Sequence, residues 1–305
     1  MDNQSNGLPV LVVGATGFLG MQICKNLVEE KYKVKALVRK SSDPSKVETL
    51  ERMGIETITG DIKDRASLDK AFTGVSKIIS TASSTLSRQE GDSIESVDQD
   101  GQLNVVNAAK DANVEHLVFI SVHDLPGDFP LQTAKRSVEQ AIKESGITYT
   151  ILQPTMFMEV WLGPALGFDY QNYEATVFGE GNNKLSWISI GDVANFAVHS
   201  LNIPETKNKI FLLGGPESLS PLEVVKIFEN HSGKSFNVAH VPMEALEAQK
   251  ASAPDSLTKS FASLSIGYAT GFQIDMKQTM NVFSFPLTSV EEYAQRVMAA
   301  DTAMA

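Results

Sequence analysis

The chain has 305 residues, 42% hydrophobic and 21% charged, the composition of an ordinary folded protein with a sizeable core. Its formal net charge of −11 argues against a general binder of nucleic acid or of anionic membranes, since both need a basic surface. No stretch reaches the roughly 18 to 20 apolar residues of a membrane span, the polar opening Met1-Asp-Asn-Gln-Ser-Asn6 does not read as a secretion signal, and the single cysteine cannot close an internal disulfide. A reducing cytoplasm is the expected location.

The first predicted elements are a buried strand, Val10, Leu11, Val12 and Val13, and a helix over 18–29 with Leu19, Ile23 and Leu27 on one face. Between them Gly14, Gly17 and Gly20 recur at three-residue intervals. In a strand-to-helix turn such glycines permit the tight turn, let backbone approach a pyrophosphate, and let helix pack on strand. Phosphate charge then sits at the helix N-terminus, where unpaired N–H groups favour an anion. Gly14, Thr16, Gly17, Phe18 and Leu19 are the expected contacts of a dinucleotide. Cys24, inside this helix, is expected to be a small buried core residue. The wording Gly14-Ala-Thr-Gly-Phe-Leu-Gly20 resembles the extended and atypical short-chain dehydrogenase/reductase families.

Short β-rich runs at 33–38, 56–59, 77–80, 116–121 and 148–152 continue the strands, and helical periods fall near 44–53, 66–72, 96–112 and 131–145. Alternation of this kind implies an α/β, doubly wound parallel-sheet Rossmann fold over residues 1–155. Ligands there bind beyond the carboxyl ends of the strands. The second strand ends in Arg39 and Lys40, where an acid would hold the ribose 2′-hydroxyl of NAD and an arginine accommodates the 2′-phosphate of NADP, so NADP(H) is the expected cofactor. Asp61 and Ile62 follow the third strand; Asp61 is read as a cap of the next helix, a nucleotide contact, or both. Thr81, Ala82 and Ser83 follow the fourth, where small residues leave room for a dinucleotide and hydroxyls can also serve a turn. Ser121 ends the fifth, and the superfamily resemblance implies that its hydroxyl helps hold a substrate oxygen. His123 and Asp124, adjacent in an extended segment, diverge and do not form a dyad by themselves.

Helical placement of the next stretch puts Leu131, Ala134, Val138, Ala141 and Ile142 on one stripe with Lys135 at its edge. A lysine there either faces a polar partner inside, such as a cofactor ribose, or pairs with Glu139 on a surface edge. With Gly60-Asp61, the Ala134-Lys135 helix, Ser145-Gly146 and Tyr149-Thr-Ile-Leu-Gln-Pro154-Thr-Met-Phe157, the chain resembles the NmrA-like and isoflavone-reductase-like group of atypical short-chain dehydrogenases. In the wider superfamily a tyrosine four residues before the lysine donates the proton; here that position is Leu131, which argues against a standard carbonyl reductase, epimerase or dehydratase. In isoflavone-reductase-like enzymes the lysine handles the proton, a role that falls on Lys135. Pro154 and Phe157 are expected at the nicotinamide, and Gln153 departs from the Arg-Pro of many relatives.

Residues 156–305 read as a smaller, mainly substrate-binding α/β part and lid, with elements returning to the sheet. Its aromatic and methionine-rich opening, from Met156 through Trp161 to Tyr170, packs as core by default; any part that lines a cleft implies an apolar or aromatic substrate. Asp192 is expected to cap or pack a helix, and the tail from Ala299 to fray. No metal-ligand cluster stands out.

Three functional readings stay open. One is an NADPH-dependent reductase passing hydride to an activated C=C or C=O of a small apolar, aromatic or quinone-like compound, with Lys135 and Ser121 as catalytic residues. The second is a non-catalytic NADP(H) sensor, as some NmrA-like proteins are. The third is a cofactor-binding protein that assists assembly of a larger complex. Expected partners are a small-molecule substrate and no nucleic acid or membrane, with a homodimer left open.

Overall fold

The structure, a computed structural model, describes residues 7–86 and 89–302; the opening hexapeptide lies outside the described residues. In chain order the first half comprises β1 (Val10–Val13), α1 (Phe18–Glu29), β2 (Val34–Val38), α2 (Pro44–Arg52), β3 (Glu56–Thr59), α3 (Arg65–Ala71) and β4 (Lys77–Ser80). A π-helical segment, Ile94–Gly101, then runs into α4 (Gln102–Asp111), followed by β5 (His116–Ile120), α5 (Pro130–Glu144) and β6 (Thr148–Pro154). After them come β7 (Met156–Phe157), α6 (Met158–Trp161), β8 (Phe168–Asp169), β9 (Glu174–Phe178), β10 (Leu185–Ile188), α7 (Ile190–His199), β11 (Lys209–Leu213) and β12 (Ser218–Leu219). The last elements are α8 (Pro221–Ser232), β13 (Asn237–Val241), α9 (Met243–Ala251), α10 (Ser256–Thr270), α11 (Lys277–Val282) and α12 (Val290–Thr302).

The main sheet has the order β11-β6-β5-β4-β1-β2-β3. Strands β1 to β6 pair in parallel, with Val13 opposite Leu37 and Ser80, so the strand ends that carry the glycine turn, Arg39 and Thr81 line up on one edge. The change of direction lies between β1 and β4, the place where doubly wound sheets bind nucleotides. Two smaller three-stranded sheets, β12-β10-β7 and β13-β9-β8, are built from the later residues.

The chain divides into two compact units. The first comprises Met1–Val122, Pro130–Gln153 and Val193–Phe211; the second comprises His123–Phe129, Pro154–Asp192 and Leu212–Ala305. Leu11, Val13, Ile78, Leu117, Phe119, Val138, Ile142 and Ile151 interlock in the core of the first. Met156, Met158, Trp161, Leu162 and Phe168 lie in the core of the second, with Trp187, Phe228 and Tyr268. Packing therefore accounts for most of the aromatic and methionine-rich stretch.

Three elements differ from the sequence expectation. The helix read over 96–112 begins as the wider π turn, capped by the reciprocal Ser93–Ser96 pair, and only becomes α-helical at Gln102. Gly101 sits at that junction because a side chain there would meet Ile62 Cγ1 at 2.7 Å. The final helix also does not fray at Ala299 but runs to Thr302, beyond which the chain lies outside the described residues. Of the two roles read for Asp192, capping is not seen and packing is: Ser189 Oγ accepts from the Asp192 amide, and the buried Asp192 carboxylate accepts from the Thr288 amide and hydroxyl.

Candidate functional site

The glycine turn shows why each glycine is there. Gly14 has φ +88°, and a Cβ on it would lie 2.7 Å from Thr81 Oγ1 and 2.8 Å from the Ala82 amide nitrogen. A Cβ on Gly20 would lie 2.0 Å from the Gly14 carbonyl oxygen, so helix and turn can approach only without it. Gly17 is different: its nearest neighbour would be the Gly14 oxygen at 3.3 Å, and it is exposed. Gly17 is the residue that opens α1, and no side chain caps that end. The positive end of a 12-residue helix is thus left open beside a residue that leaves room for a ligand. Thr16 and Leu19 are half-buried beside it, while Phe18 is exposed with Lys46 Nζ 5.6 Å from its ring centre.

At the next strand ends the structure assembles a charge cluster. Arg39 Nη1 is 2.6 Å from Asp92 Oδ2, and Lys63 Nζ is 2.6 Å from Asp92 Oδ1. The Asp92 side chain is only 2% exposed. Burial works to raise its pKa, but hydrogen bonds and charge from Lys63 and Arg39 outweigh burial and hold the carboxyl below its usual range. The Arg39 amide donates to Ser42 Oγ, and Lys40 is exposed. Asp61 accepts from the Lys63 amide at 2.9 Å, whereas α3 is capped by Asp64; the capping role expected of Asp61 belongs three residues later. The Ile62 side chain lies in the core, and its carbonyl accepts from Asn104 Nδ2.

Around the end of β4, Ser80 Oγ donates to Gln102 Oε1 and Gln102 Nε2 donates to the Ala82 carbonyl, both at 2.7 Å. Thr81 is half-buried, and Ser83 exchanges a hydroxyl hydrogen bond with Thr85 at 3.1 Å, the turn-serving role. Ser84 donates its amide and its hydroxyl to Asp98 Oδ2, at 2.9 and 2.6 Å. Asp98 is fully buried, and its other oxygen has no hydrogen-bond donor among the described residues. Lys135 Nζ lies 3.3 Å from that oxygen, close enough to pair in charge but misaligned for a hydrogen bond, and 5.1 Å from the Phe119 ring centre.

Lys135 is 4% exposed, so the surface pairing with Glu139 is overturned. Both residues point inward to different partners. Glu139 Oε1 accepts from the Ser121 hydroxyl at 2.5 Å, from Gln153 Nε2 at 2.8 Å and from Arg136 Nη1. Arg136 also donates to the Ser121 hydroxyl at 3.3 Å and to the Val122 carbonyl at 2.8 Å. This network ties α5 to the ends of β5 and β6. It gives Gln153, a departure from the relatives' pattern, a definite task. Leu131 is buried and supplies no hydroxyl to Lys135.

Asp92, Asp98 and Gln102 were not singled out from sequence, and Glu139 was read only as a surface partner of Lys135. The one signal was an acid at Asp98 between Val97 and Gly101 on an apolar stripe.

In the second unit, the His123 amide donates to the Pro154 carbonyl at 3.1 Å and its ring lies 5.0 Å from Phe272. Phe157 is half-buried, pairs opposite Ile188 and opens α6. Elsewhere in the first unit, burial pushes the Cys24 thiol up to about 12, which makes it an inert core group. Among the described residues no group of three or more His, Cys, Asp and Glu could hold a metal ion, and no helix is long and apolar enough to cross a membrane.

Comparison with known proteins agrees with this architecture. The chain is 31% identical over 246 residues to the photosystem II assembly factor Ycf39 of Trieres chinensis, covering 79% of this chain and 74% of that one. It is 30% identical over 237 residues to the NAD(P)H azoreductase of Xenophilus azovorans, covering 77% and 78%. Its fold matches the NADPH-dependent quinone oxidoreductase of Escherichia coli solved with NADPH, at a TM-score of 0.76 and 23% identity over 95% of this chain and 99% of that chain. Relatives of this chain thus include NAD(P)H-dependent oxidoreductases and assembly factors. The NmrA-like family pattern matches residues 8–294, and with the open glycine turn, the Arg39 cluster and the buried Lys135 in place, the chain belongs to the NmrA-like family.

Proposed function

We propose that this chain binds NADP(H) and is a reductase, passing hydride to an activated C=C or C=O of a small apolar, aromatic or quinone-like compound. The observation that carries the proposal is the inward Lys135, held against a buried carboxylate that keeps one oxygen without a hydrogen-bond donor. A lysine kept only for solubility would sit in water; this one is desolvated, and its charge is balanced by Asp98.

The residues present fit the cofactor. The uncapped start of α1 at Gly17 suits the pyrophosphate, with Gly14, Thr16, Phe18 and Leu19 around it. Arg39, flanked by Lys40 and joined by Lys63, suits a 2′-phosphate. Asp61 and the backbone at Ile62 flank the adenosine, and Thr81, Ala82 and Ser83 leave the narrow passage that small residues allow. Pro154 and Phe157 are assigned to the nicotinamide on the sequence pattern. The bound nicotinamide supplies the hydride. Lys135 holds the ribose and carries the proton, Asp98 fixes its position, and Ser121 acts through the Glu139 network that holds α5 in place.

The second reading, a non-catalytic NADP(H) sensor, is favoured by one observation: the buried Leu131 leaves Lys135 without a hydroxyl acid four residues earlier. The identity to an assembly factor supports the related reading of a cofactor-binding assembly protein. NADPH oxidation with a panel of quinones, enones and flavonoid-type compounds separates these. Turnover of any class supports the reductase. Tight NADP(H) binding with no turnover by any acceptor, unchanged in Lys135→Ala, assigns the chain to the sensors.

A further inference from the structure

Asp92 is the buried anion that the reductase reading does not use. It sits in the loop before Ser93, the cap of the π-helical segment, and divides its two oxygens between Arg39 and Lys63, each at 2.6 Å. Charge-assisted bonds of this length to a guanidinium and an ammonium are the bonds a phosphate monoester would make. We propose that Asp92 is an internal stand-in for the 2′-phosphate of NADP(H), competing for Arg39 and Lys63 and thereby setting how strongly the chain prefers a 2′-phosphorylated dinucleotide. The inference rests on the NADP(H) reading above.

The charges favour exchange over joint occupancy. Arg39 and Lys63 together carry two positive charges, against which Asp92 sets one negative charge and a phosphate dianion would set two. With Asp92 and the phosphate both in place the cluster would hold an excess of negative charge around a carboxylate that is 2% exposed. The loop that carries Asp92 also meets the β2 end through exposed side chains: Ser41 Oγ donates to Gln89 Oε1, and Gln89 Nε2 donates to the Ser41 carbonyl at 3.1 Å. A dinucleotide without the 2′-phosphate brings only a neutral 2′-hydroxyl to this place and does not compete with Asp92 for the charge of Arg39 and Lys63, so its affinity is far less sensitive to Asp92.

The test is calorimetric titration of the full chain with NADPH and with NADH, in wild type, Asp92→Asn, Gln89→Ala and Arg39→Ala. Removing the competing charge in Asp92→Asn is expected to tighten NADPH about tenfold and change NADH less than about twofold. Gln89→Ala keeps every charge and loosens only the loop; it is expected to tighten NADPH by about twofold to threefold, and it carries the test if Asp92→Asn melts below the titration temperature. If Asp92 instead serves as a scaffold for the two cations, Asp92→Asn weakens NADPH, and the inference is overturned. Equal tightening of NADH and NADPH, or no change in either, overturns it as well. Failure of the cofactor reading looks different: wild type then prefers NADPH no more than NADH, and Arg39→Ala leaves both unchanged.

Discussion

Two lysines are buried in the first unit, and they are held in opposite ways. Lys77 opens β4, at the amino end of the strand, and donates to the Leu201 carbonyl at 3.0 Å. Burial pushes its pKa down, Glu115 partly opposes that, and Lys207 adds to it. Its strand neighbour His116 is lowered to about 4, first by burial and then by Lys77 and Lys207, and its Nε2 lies 2.9 Å from Thr150 Oγ1. Lys135 faces a carboxylate instead, with an aromatic ring beside it and an acceptor oxygen that still lacks a donor. Burial beside a neutral carbonyl keeps the first lysine as a packing group. A buried carboxylate partner positions the second. Burial of a titratable group therefore does not mark the site; the partner it is given does.

That contrast is broken most readily by removing each lysine. Lys135→Met strands the buried Asp98 charge and is expected to cost about 3 to 5 kcal/mol in urea denaturation. Adding Asp98→Asn to it should recover most of the loss, because no bare charge then remains. Lys77→Met leaves only the Leu201 carbonyl without its donor and is expected to cost about 1 to 3 kcal/mol. Equal losses for the two single variants, with no recovery in the double, would erase the distinction.

Acid separates the two ends of the sheet. His116 has a folded value near 4 against an ordinary 6.5, so the unfolded chain binds more protons between those values. Stability is fully present above about 6.5 and falls as pH drops toward 4, by up to about 3 kcal/mol from this residue. Asp92 is lowered as well, from the lower carboxylate reference: its contribution is present above the unfolded carboxylate value and is lost only as pH falls through the lower folded one. Thermal melts from pH 7 to 3 should show the His116 loss first, and His116→Gln should flatten that first step alone.

Arg39→Ala sharpens the cofactor side of the site. Loss of a charged contact to the 2′-phosphate is expected to weaken NADPH about tenfold to a hundredfold and NADH within about threefold, read by calorimetry. The smallest effect is expected from Ser121→Ala, which removes one of three donors to Glu139 and costs about 1 to 2 kcal/mol in urea. A fall in turnover greater than that stability loss explains would give Ser121 a direct catalytic contact.

Much of the first unit was readable because its strands are continuous apolar runs closed by glycine or polar residues. The Gly14 to Gly20 turn, β4 and the span of α1 follow from that pattern alone. The cluster partners were not readable, because pairing is set by topology: Asp92 reaches Arg39 across 53 positions of chain, from a loop with no periodicity. Asp98 falls on the inward stripe of Ile94, Val97 and Gly101, but its partners Ser84 and Lys135 are set by topology as well. Ile62 shows the converse. Its place after a strand end suggested a ligand contact, and the pattern gave no sign that its side chain turns into the core. In the second unit, strands of two residues, such as β7, β8 and β12, leave too little pattern to detect.

The most direct measurement of the central claim is NADPH oxidation by wild type and by the Lys135→Met, Asp98→Asn double variant, which keeps the buried site free of unpaired charge. Wild type should turn over at least one quinone, enone or flavonoid-type acceptor, and the double variant should lose about a hundredfold or more in kcat while still binding NADPH. Turnover by the double variant at the wild-type rate, or none by wild type with any acceptor, would contradict the account.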